Sequence, residues 1–441
     1  MALLETSLDA INVTRLAITI SSIFILTLII REFQSWYRLR HVPGPFWNSL
    51  TNLPLARLAG KGRISFELDE IQTEYGPLMR IGPDLVMYGD ADTYRLINGA
   101  RSEFTKGDWY KPSKITPNDS IFTMSDDAER VKLKAKLTPG YARHDLIEQH
   151  VDHVLGDFID LIERNYISTD TDYRPVDFAH KAMYFAIDTI SQIAWGEQMG
   201  FIANDEDMYK YLEINDGFFP VLAVLLTMPK MDKYLKAWPL KLLLPKEGDT
   251  TGFGKMIRFV GFHSAHINYL TTGSDSTATA IRTTLLCLLS NPTSLAKLRH
   301  EIDTAIATRK ISAPITSAEA RTLPYLQSVI KENIRLYPPS TGWNGRCVPK
   351  GGVHIHGYYL PAGTQVAVNT VHMMRRKEVF GEDADVFRPE RWFQRTGEDG
   401  DETRLKEMAA TVELAFGFGR FGCLGRGIAG VELDKIFVES G

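Results

Sequence analysis

The sequence predicts a mainly helical fold that carries small β-sheets. Residues 262–290 and Pro324–Leu336 are predicted helices, and the second has apolar side chains along one broad face. Short alternating segments at 86–88 and 353–360 are typical of strands bounded by turns. A glycine-rich loop at 416–425 comes directly before a further predicted helix. Helices therefore supply most of this fold, and this loop is its most unusual local sequence.

The glycine-rich loop contains four glycines and one cysteine in ten residues, Phe416-Gly417-Phe418-Gly419-Arg420-Phe421-Gly422-Cys423-Leu424-Gly425. Glycine allows the backbone to approach a flat ligand closely, and one cysteine supplies a soft metal ligand. Backbone amides directed at a thiolate would stabilise its charge. The loop therefore indicates a haem-thiolate site. A buried free cysteine in a glycine-rich turn is the alternative interpretation.

The loop resembles the cysteine-ligand loop of the cytochrome P450 superfamily at Phe416, Gly417, Gly419, Cys423 and Gly425. The resemblance implies the cytochrome P450 fold, heme b as cofactor and Cys423 as the axial ligand of the iron. The five matching residues, together with Arg420, would form the cofactor-binding loop. One position departs from the family pattern, because Phe421 stands where an arginine is usual. The haem propionates would thereby lose one cation.

Composition limits the classes of protein to which the chain can belong. Its 441 residues are 44% apolar, which is enough to bury a large core. The resemblance implies that residues 41–441 form one haem-binding monooxygenase domain. A formal net charge of -4 gives no indication of nucleic-acid binding. The three cysteines lack paired spacing, which argues against a disulfide framework or a structural zinc site and fits a reducing compartment.

Residues 1–40 are predicted to be a membrane anchor and juxtamembrane segment. Residues 16–30 carry no charge, and extending this run to Ala10 reaches the length of a bilayer span if Arg15 snorkels to the interface. Basic residues follow the run, so the main body is predicted to be cytosolic. The prediction is a single-pass protein of the endoplasmic reticulum membrane, with a stiff turn at 41–45. A cleaved signal peptide is the alternative, although no small-residue cleavage site follows.

Cations are concentrated in a predicted helix at 126–137, which is expected to stop at Thr138. Such a pattern is usually a solvated helix face. In the family a propionate-contacting helix lies here, with an aromatic residue or histidine four residues before an arginine. This chain has Arg130 and Lys134 instead. The resemblance therefore makes Lys134 a candidate cofactor-binding residue.

The predicted helix at 262–290 contains a glycine and several hydroxyl residues at 271–280. Glycine costs roughly 1 kcal/mol in a helix, and hydroxyl groups compete for backbone carbonyls. Reduction of dioxygen consumes protons, which an acid and a hydroxyl beside a cavity can relay. Asp275 and Ser276 resemble the acid-alcohol pair of the family, with serine in place of threonine, and are the predicted catalytic residues. A polar kink in a packing helix is the alternative.

Two arginines and one glutamate are expected to lock the fold beneath the haem. Glu332 and Arg335 lie three residues apart on one predicted helix, which alone indicates an ordinary ion pair. The resemblance implies that they form a buried charged triad with Arg391. In the family the arginine of a following strand holds a propionate, which makes Arg346 a candidate propionate ligand. A surface arginine on an edge strand is the alternative for Arg346.

Two parts of the expected fold have little sequence available to form them. Residues 246–258 run directly into the predicted helix at 262–290, which we call the oxygen-side helix because it carries Asp275 and Ser276. The family places another helix and turn between such segments. The chain also ends shortly after Cys423, whereas family members continue through strands that close the substrate pocket. We therefore expect a cytochrome P450 fold that lacks part of the region before the oxygen-side helix and the C-terminal strands.

The combined motifs predict a haem-thiolate monooxygenase that oxidises an apolar small molecule with O2. By resemblance, the loop at 109–122 and residues 218–228 would cover the substrate, and NADPH-cytochrome P450 reductase would supply electrons. The closest resemblance is to fungal microsomal members, many of which act in secondary metabolism. Two alternatives are a non-catalytic truncated remnant and a haem-thiolate isomerase or dehydratase that needs no reductase.

Overall fold

The computed structural model describes residues 33–114, 119–235, 237–239, 265–394 and 401–440, with a few residues between Thr19 and Ile30. The α-helices in these ranges are α1 (Phe46–Leu50), α2 (Leu53–Gly60), α3 (Ile64–Tyr75), α4 (Ala91–Asn98), α5 (Asp127–Tyr141), α6 (His144–Tyr166), α7 (Phe178–Trp195), α8 (Phe201–Asn204), α9 (Tyr211–Thr227), α10 (Asp232–Leu235), α11 (Ala265–Ser290), α12 (Pro292–Ala307), α13 (Ser317–Ala320), α14 (Pro324–Leu336), α15 (Thr370–Arg375), α16 (Lys377–Phe380), α17 (Asp401–Val412) and α18 (Arg426–Glu439). The strands are β1 (Leu78–Gly82), β2 (Leu85–Tyr88), β3 (Thr105–Lys106), β4 (Arg346–Cys347), β5 (Val353–Ile355), β6 (Tyr358–Leu360) and β7 (Gln365–Val368). Short 3₁₀ helices cover Asp108–Tyr110, Met208–Lys210, Pro229–Met231, Pro389–Trp392, Glu413–Phe416 and Gly419–Phe421.

The prediction of a mainly helical fold with small sheets is confirmed. Helix α14 begins and ends at the predicted residues, with Pro324 in its first turn, where the missing N–H loses no helical hydrogen bond. Helix α11 continues from Ala265 to Ser290 through the hydroxyl-rich segment. Just beyond that segment, the Thr284 hydroxyl donates to the carbonyl of Ala280 at 2.7 Å, one helical turn earlier. Such bonds satisfy hydroxyl groups without ending the helix.

The main sheet has five strands in the order β1-β2-β7-β4-β3. Strand β2 pairs in parallel with β7, whereas β4 is antiparallel to both β7 and β3. In the last pair Lys106 lies opposite Arg346, so these two cationic side chains start from neighbouring positions. Strands β5 and β6 form a separate hairpin.

The largest hydrophobic cluster joins the helices to one face of the sheet. Helix α7 is buried along much of its length and packs on α11 and α6, while α14 contacts both α11 and α18. A smaller cluster fills the space between the sheet and the N-terminal helices α2 and α3. The oxygen-side helix predicted from sequence, α11, and the helix after Cys423, α18, are therefore parts of one packed body.

The predicted stop of α5 at Thr138 is wrong, because the helix continues to Tyr141. Pro139 lies in the last turn, where its missing N–H removes one hydrogen bond. The amide of Ala142 still donates to the carbonyl of Thr138 at 3.2 Å and completes the turn. A proline this near the end of a helix is tolerated because few helical hydrogen bonds remain to be formed after it.

The predicted N-terminal anchor lies largely outside the described residues, as does all of segment 246–258. In the part of the chain that the structure describes, no helix is long and apolar enough to cross a membrane.

Candidate active site

The loop around Cys423 is closed by a short backbone hydrogen bond, in which the Cys423 amide donates to the carbonyl of Phe416 at 2.7 Å. Gly417 and Gly419 have φ angles of +79° and +55°, which favour glycine. A Cβ atom on Gly417 would lie 2.6 Å from the Phe421 carbonyl oxygen, and one on Gly419 would lie 2.6 Å from that of Asn98. Side chains at these two positions would therefore force the loop open.

Cys423 stands three residues before α18, and part of the residue is exposed while its sulfur is largely desolvated by its neighbours. The backbone amides of Gly425 and Arg426 donate to its sulfur, and a Cβ on Gly425 would lie 3.9 Å from it. Desolvation raises the pKa of the Cys423 thiol, while these amides and the Lys134 ammonium act to lower it. The local groups thus favour a negative charge on sulfur, although burial outweighs them in this arrangement.

Lys134 on α5 lies beside the cysteine loop. Its ammonium donates to the carbonyl of Gly422 at 2.8 Å and to that of Arg420 at 3.4 Å. Burial and the neighbouring Arg130 lower the pKa of Lys134, whereas the Cys423 sulfur raises it. The structure therefore places Lys134 against the loop backbone, on the side of the sulfur.

Arg346 on β4 is buried and points at the same loop. Its guanidinium lies 3.9 Å from the centroid of the Phe421 ring. Arg130 lies over that ring as well, at 4.4 Å, and donates to the carbonyl of Arg420 at 2.9 Å. The expectation of a surface arginine does not apply to Arg346, because only 3% of the residue is exposed.

Lys106 joins these arginines, although its sequence context does not mark it as a site residue. Its ammonium donates to the carbonyls of Ile121 and Phe122 at 2.8 and 2.7 Å. Burial and the cations of Arg130 and Arg346 lower the pKa of Lys106 to about 7. The pairing of β3 with β4 brings Lys106 here, and the sequence carries no local signal for that pairing.

Arg420 completes a cluster of cations around Phe421. In the part of the chain that the structure describes, the carboxylate that pairs with this cluster is Asp127, at 2.7 Å from Arg130 and 3.4 Å from Arg420. The Nε of Arg420 is buried without a hydrogen-bond acceptor among the described residues. Burying several cations with one carboxylate is unfavourable unless an anion joins them. The cluster therefore has the electrostatics of a binding site for a carboxylate-bearing ligand.

Asp275 and Ser276 lie next to each other on α11, and both are partly buried. Burial raises the pKa of Asp275, and the nearby Asp216 on α9 raises it further. The guanidinium of Arg282, at 3.9 Å, lowers this pKa but does not cancel the increase. One residue further along, the Thr277 hydroxyl donates to Glu432 of α18 at 3.2 Å. This bond ties the helix that carries Asp275 to the helix that follows Cys423.

Glu332, Arg335 and Arg391 form a fully buried network. The Glu332 carboxylate accepts two hydrogen bonds from Arg335, both at 2.9 Å, and one from Arg391 at 3.2 Å. The Trp392 indole and the Arg388 amide also donate to it. The remaining donors of Arg335 and Arg391 go to backbone carbonyls between residues 374 and 386, and Arg391 also donates to the Asp383 carboxylate at 2.6 Å. The network therefore joins α14 to the segment that leads toward the cysteine loop.

Comparison with known proteins agrees with this arrangement. The family model described as Cytochrome P450 matches residues 263–439. The chain is 35% identical to "Cytochrome P450 monooxygenase ABA1" of Pyricularia oryzae over 96% of this chain and 89% of that protein. It is 33% identical to "Cytochrome P450 monooxygenase aba1" of Botryotinia fuckeliana, over 91% of this chain and 85% of that protein. It is also 29% identical to "Cytochrome P450 monooxygenase cicH" of Emericella nidulans.

The fold, the glycine loop and the relatives together define an oxidoreductase of the haem-thiolate class. The chain belongs to the cytochrome P450 family. Within it, the chain is a cytochrome P450 monooxygenase, an enzyme that uses O2, an organic substrate and a redox partner.

The residues present fit the haem that the family implies. Gly417 and Gly419 leave no room for side chains, the amides of Gly425 and Arg426 face the cysteine sulfur, and the cation cluster has an orphaned guanidinium nitrogen. A thiolate would ligate the iron of haem, and the cations would bind its carboxylates.

Proposed function

We propose that this protein is a heme b monooxygenase whose axial ligand is Cys423 and whose substrate is an apolar small molecule. One atom of O2 is inserted into a substrate C–H bond, and the other leaves as water after uptake of two electrons and two protons. NADPH-cytochrome P450 reductase is the proposed electron donor. The relatives are fungal monooxygenases, which supports a role in fungal secondary-metabolite biosynthesis.

The surroundings of the Cys423 sulfur are the observation that carries this proposal. A structural cysteine is normally packed in apolar surroundings, whereas this sulfur is reached by two backbone amides and by the field of Lys134. At Cys287, by contrast, burial and the Glu332 carboxylate both raise the pKa of the thiol, to about 11. These differences support a metal-ligand role for Cys423 rather than a packing role.

The proposed roles of the other residues follow from their chemistry. Haem, when bound to a thiolate, supplies the redox chemistry that activates O2. Asp275 and Ser276 hold and pass protons on α11, and the raised pKa of Asp275 increases the fraction of its protonated form near neutrality. Arg346 and Lys134 hold the cofactor by its carboxylates and by the loop.

The segments proposed to cover the substrate carry clusters of aromatic side chains. Trp109, Tyr110 and Phe122 form an edge-to-face aromatic cluster, with ring centroids 4.9 to 6.2 Å apart. On α9, Phe218 and Phe219 lie within 6.5 Å of each other. Surfaces of this kind bind apolar molecules better than charged ones.

We also propose that the protein is attached to the endoplasmic reticulum membrane with residues 41–441 in the cytosol. Large apolar side chains near the N-terminal segment face solvent, and they include Phe46, Trp47, Leu50 and Leu53. An apolar patch next to the predicted anchor fits contact with a lipid surface.

The test is spectroscopic and enzymatic. Purified protein reconstituted with haem should give a thiolate-type Soret shift in the reduced carbonyl complex and turn over with NADPH and added reductase. Cys423→Ser should remove the thiolate band and leave membrane association unchanged. An imidazole-like spectrum, or no haem uptake, would overturn the proposal. Product formation without an electron donor would instead favour an isomerase or dehydratase.

The relay has a separate test. Asp275→Asn should lower turnover by about 100-fold, within the range for removing a general acid, because amide nitrogen cannot supply the proton. Haem content should stay near that of the wild type. Loss of haem in Asp275→Asn would contradict a role in proton transfer.

A further inference from the structure

Glu432 is a buried carboxyl that the proposed proton relay does not include. Only 3% of the residue is exposed, and it lies on α18, the helix that follows Cys423. The neighbouring Asp434 and Lys435 pair with charged groups of other elements, whereas no charged side chain in the described part of the chain acts on the pKa of Glu432. A buried carboxyl without a cation is less favourable than a well-packed apolar side chain. Packing alone therefore does not account for a glutamate at this position.

The hydrogen-bond partner of Glu432 is Thr277 on α11. The Thr277 hydroxyl donates to Oε2 of Glu432 at 3.2 Å, and only 4% of Thr277 is exposed. Thr277 directly follows Ser276, one of the two residues of the proposed relay. A buried hydrogen bond is directional, because it weakens steeply as the distance or the angle changes. This bond therefore fixes Thr277 at one position relative to α18.

A second contact holds α11 one turn earlier, at Gly273. A Cβ atom on Gly273 would lie 3.3 Å from Cγ1 of Ile190 on α7, so the two helices approach each other closely there. Gly273 and Thr277 are four residues apart and lie on the same side of α11. Asp275 and Ser276 stand between them in the sequence. The backbone that carries the proposed relay is therefore held at both ends by contacts with other helices.

These contacts matter because α11 is locally weak in this segment. Residues 271–280 contain a glycine and several hydroxyl side chains, which compete for the backbone carbonyls of the helix. Proton transfer works over hydrogen-bond distances of about 2.6 to 3.2 Å. A small displacement of the segment would therefore interrupt the relay without unfolding the helix.

We propose that Glu432 is a positioning residue for oxygen activation, which holds the proton relay of α11 in place relative to α18 through its hydrogen bond to Thr277. This inference rests on the proposed function, because that proposal assigns the relay to Asp275 and Ser276. The reaction then needs the hydrogen bond and not the charge of the carboxyl. Burial agrees with this role, since it raises the pKa of Glu432 to about 8 and favours the uncharged acid at pH 7.

Hydrogen exchange of the haem-bound protein is the first test, and it does not depend on turnover. Thr277→Val and Glu432→Leu each remove the bond and should speed exchange of the amides at 274–281 by about three- to tenfold, the range for one net hydrogen bond. Thr277→Ser and Glu432→Gln keep the donor and the acceptor and should exchange like wild type. Thr284→Val, which removes a buried hydroxyl bonded within α11, is the matched control. Unchanged exchange in Thr277→Val overturns the inference.

The second test measures the H2O2 released per NADPH consumed, with added reductase and O2 but no organic substrate. Slower proton delivery favours release of peroxide over its further reduction to water. Glu432→Leu and Thr277→Val should therefore release about twofold more peroxide per NADPH than wild type, as should Asp275→Asn. Glu432→Gln should match wild type. Equal release by Glu432→Gln and Glu432→Leu overturns the positioning role, because the carboxyl itself would then be required.

Carbon monoxide separates this inference from failure of the proposed function. If wild type lacks a thiolate-type carbonyl spectrum, the proposed function has failed. If that spectrum is present, the C–O stretching band should shift in Thr277→Val and Glu432→Leu and stay in place in Glu432→Gln and Thr284→Val. A residue with only a structural role lowers the melting temperature without moving the band. A band that stays in place in both Thr277→Val and Glu432→Leu overturns the inference alone.

Discussion

Two buried charged regions of this protein are built in opposite ways. Around Glu332, each guanidinium nitrogen of Arg335 and Arg391 has an acceptor, and the side chains are completely buried. Around Phe421, several cations share Asp127 among the described residues, and the Nε of Arg420 has no acceptor there. Removing a partner from the first network would leave a buried charge uncompensated, whereas the second cluster gains favourable interactions when it binds an anion. The comparison thus separates structural from binding residues without reference to motif.

Breaking the balanced network should have the largest effect. Glu332→Gln removes the counter-charge of the buried Arg335 and leaves Arg391 with Asp383 alone, and we expect a loss of about 3–5 kcal/mol in the free energy of unfolding. Denaturant unfolding of the purified variant measures it. The matched control is Glu402→Gln, which breaks an exposed pair with Lys406 and should cost at most about 1 kcal/mol. Equal losses in the two variants would contradict the comparison.

A third kind of buried charge is Glu432, which has a hydroxyl partner instead of a cation. Burial raises its pKa from 4.5 to about 8, and the Thr277 hydroxyl opposes that increase. Between pH 4.5 and about 8, the Glu432 carboxyl keeps its proton in the folded protein and loses it in the unfolded protein. The stability that Glu432 contributes is therefore lost as pH rises through this range.

Glu432→Gln should remove this part of the pH dependence, on the order of a few kcal/mol across the window. The measurement is the free energy of unfolding at a series of pH values for both proteins. Parallel profiles for wild type and Glu432→Gln would show that the carboxyl is ionised in the fold.

Removing one cation from the unbalanced cluster should change the pH dependence of stability by a similar amount and in the opposite direction. The lowered pKa of Lys106, about 7 against an ordinary 10.5, means that the native ammonium loses its proton first. The stability of haem-free wild type should therefore rise between about pH 7 and 10.5. Lys106→Met should lack this rise, which we expect to be on the order of a few kcal/mol.

Lys132→Met is the matched control for Lys106→Met, because Lys132 is exposed and pairs with Glu129 on the surface of α5. Its pH profile between 7 and 10.5 should follow that of wild type. If Lys106→Met is less stable than wild type at every pH from 7 to 10.5, the hydrogen bonds of Lys106 to the carbonyls of Ile121 and Phe122 outweigh the repulsion between cations.

Sequence reasoning succeeded where chemistry is local. Proline in the first turn and an apolar face were sufficient to predict both ends of α14. Glycines that the backbone requires at 417 and 419 were visible as a cluster around one cysteine. It failed at α5, because a single Pro139 was expected to end a helix whose last turn tolerates it. Lys106 and Glu432 were missed, since each becomes important through a contact with a distant element.

The sequence by itself determined the class of the protein, the helices with strong periodicity and the loop in which Cys423 stands. These depend on the order and spacing of neighbouring residues, which local backbone preferences translate into structure. Only the tertiary structure decided that Arg130 and Arg346 share the Phe421 ring and that Lys106 lies within the field of both. Electrostatic energy depends on distance in space and on burial, and neither can be read from positions along a chain.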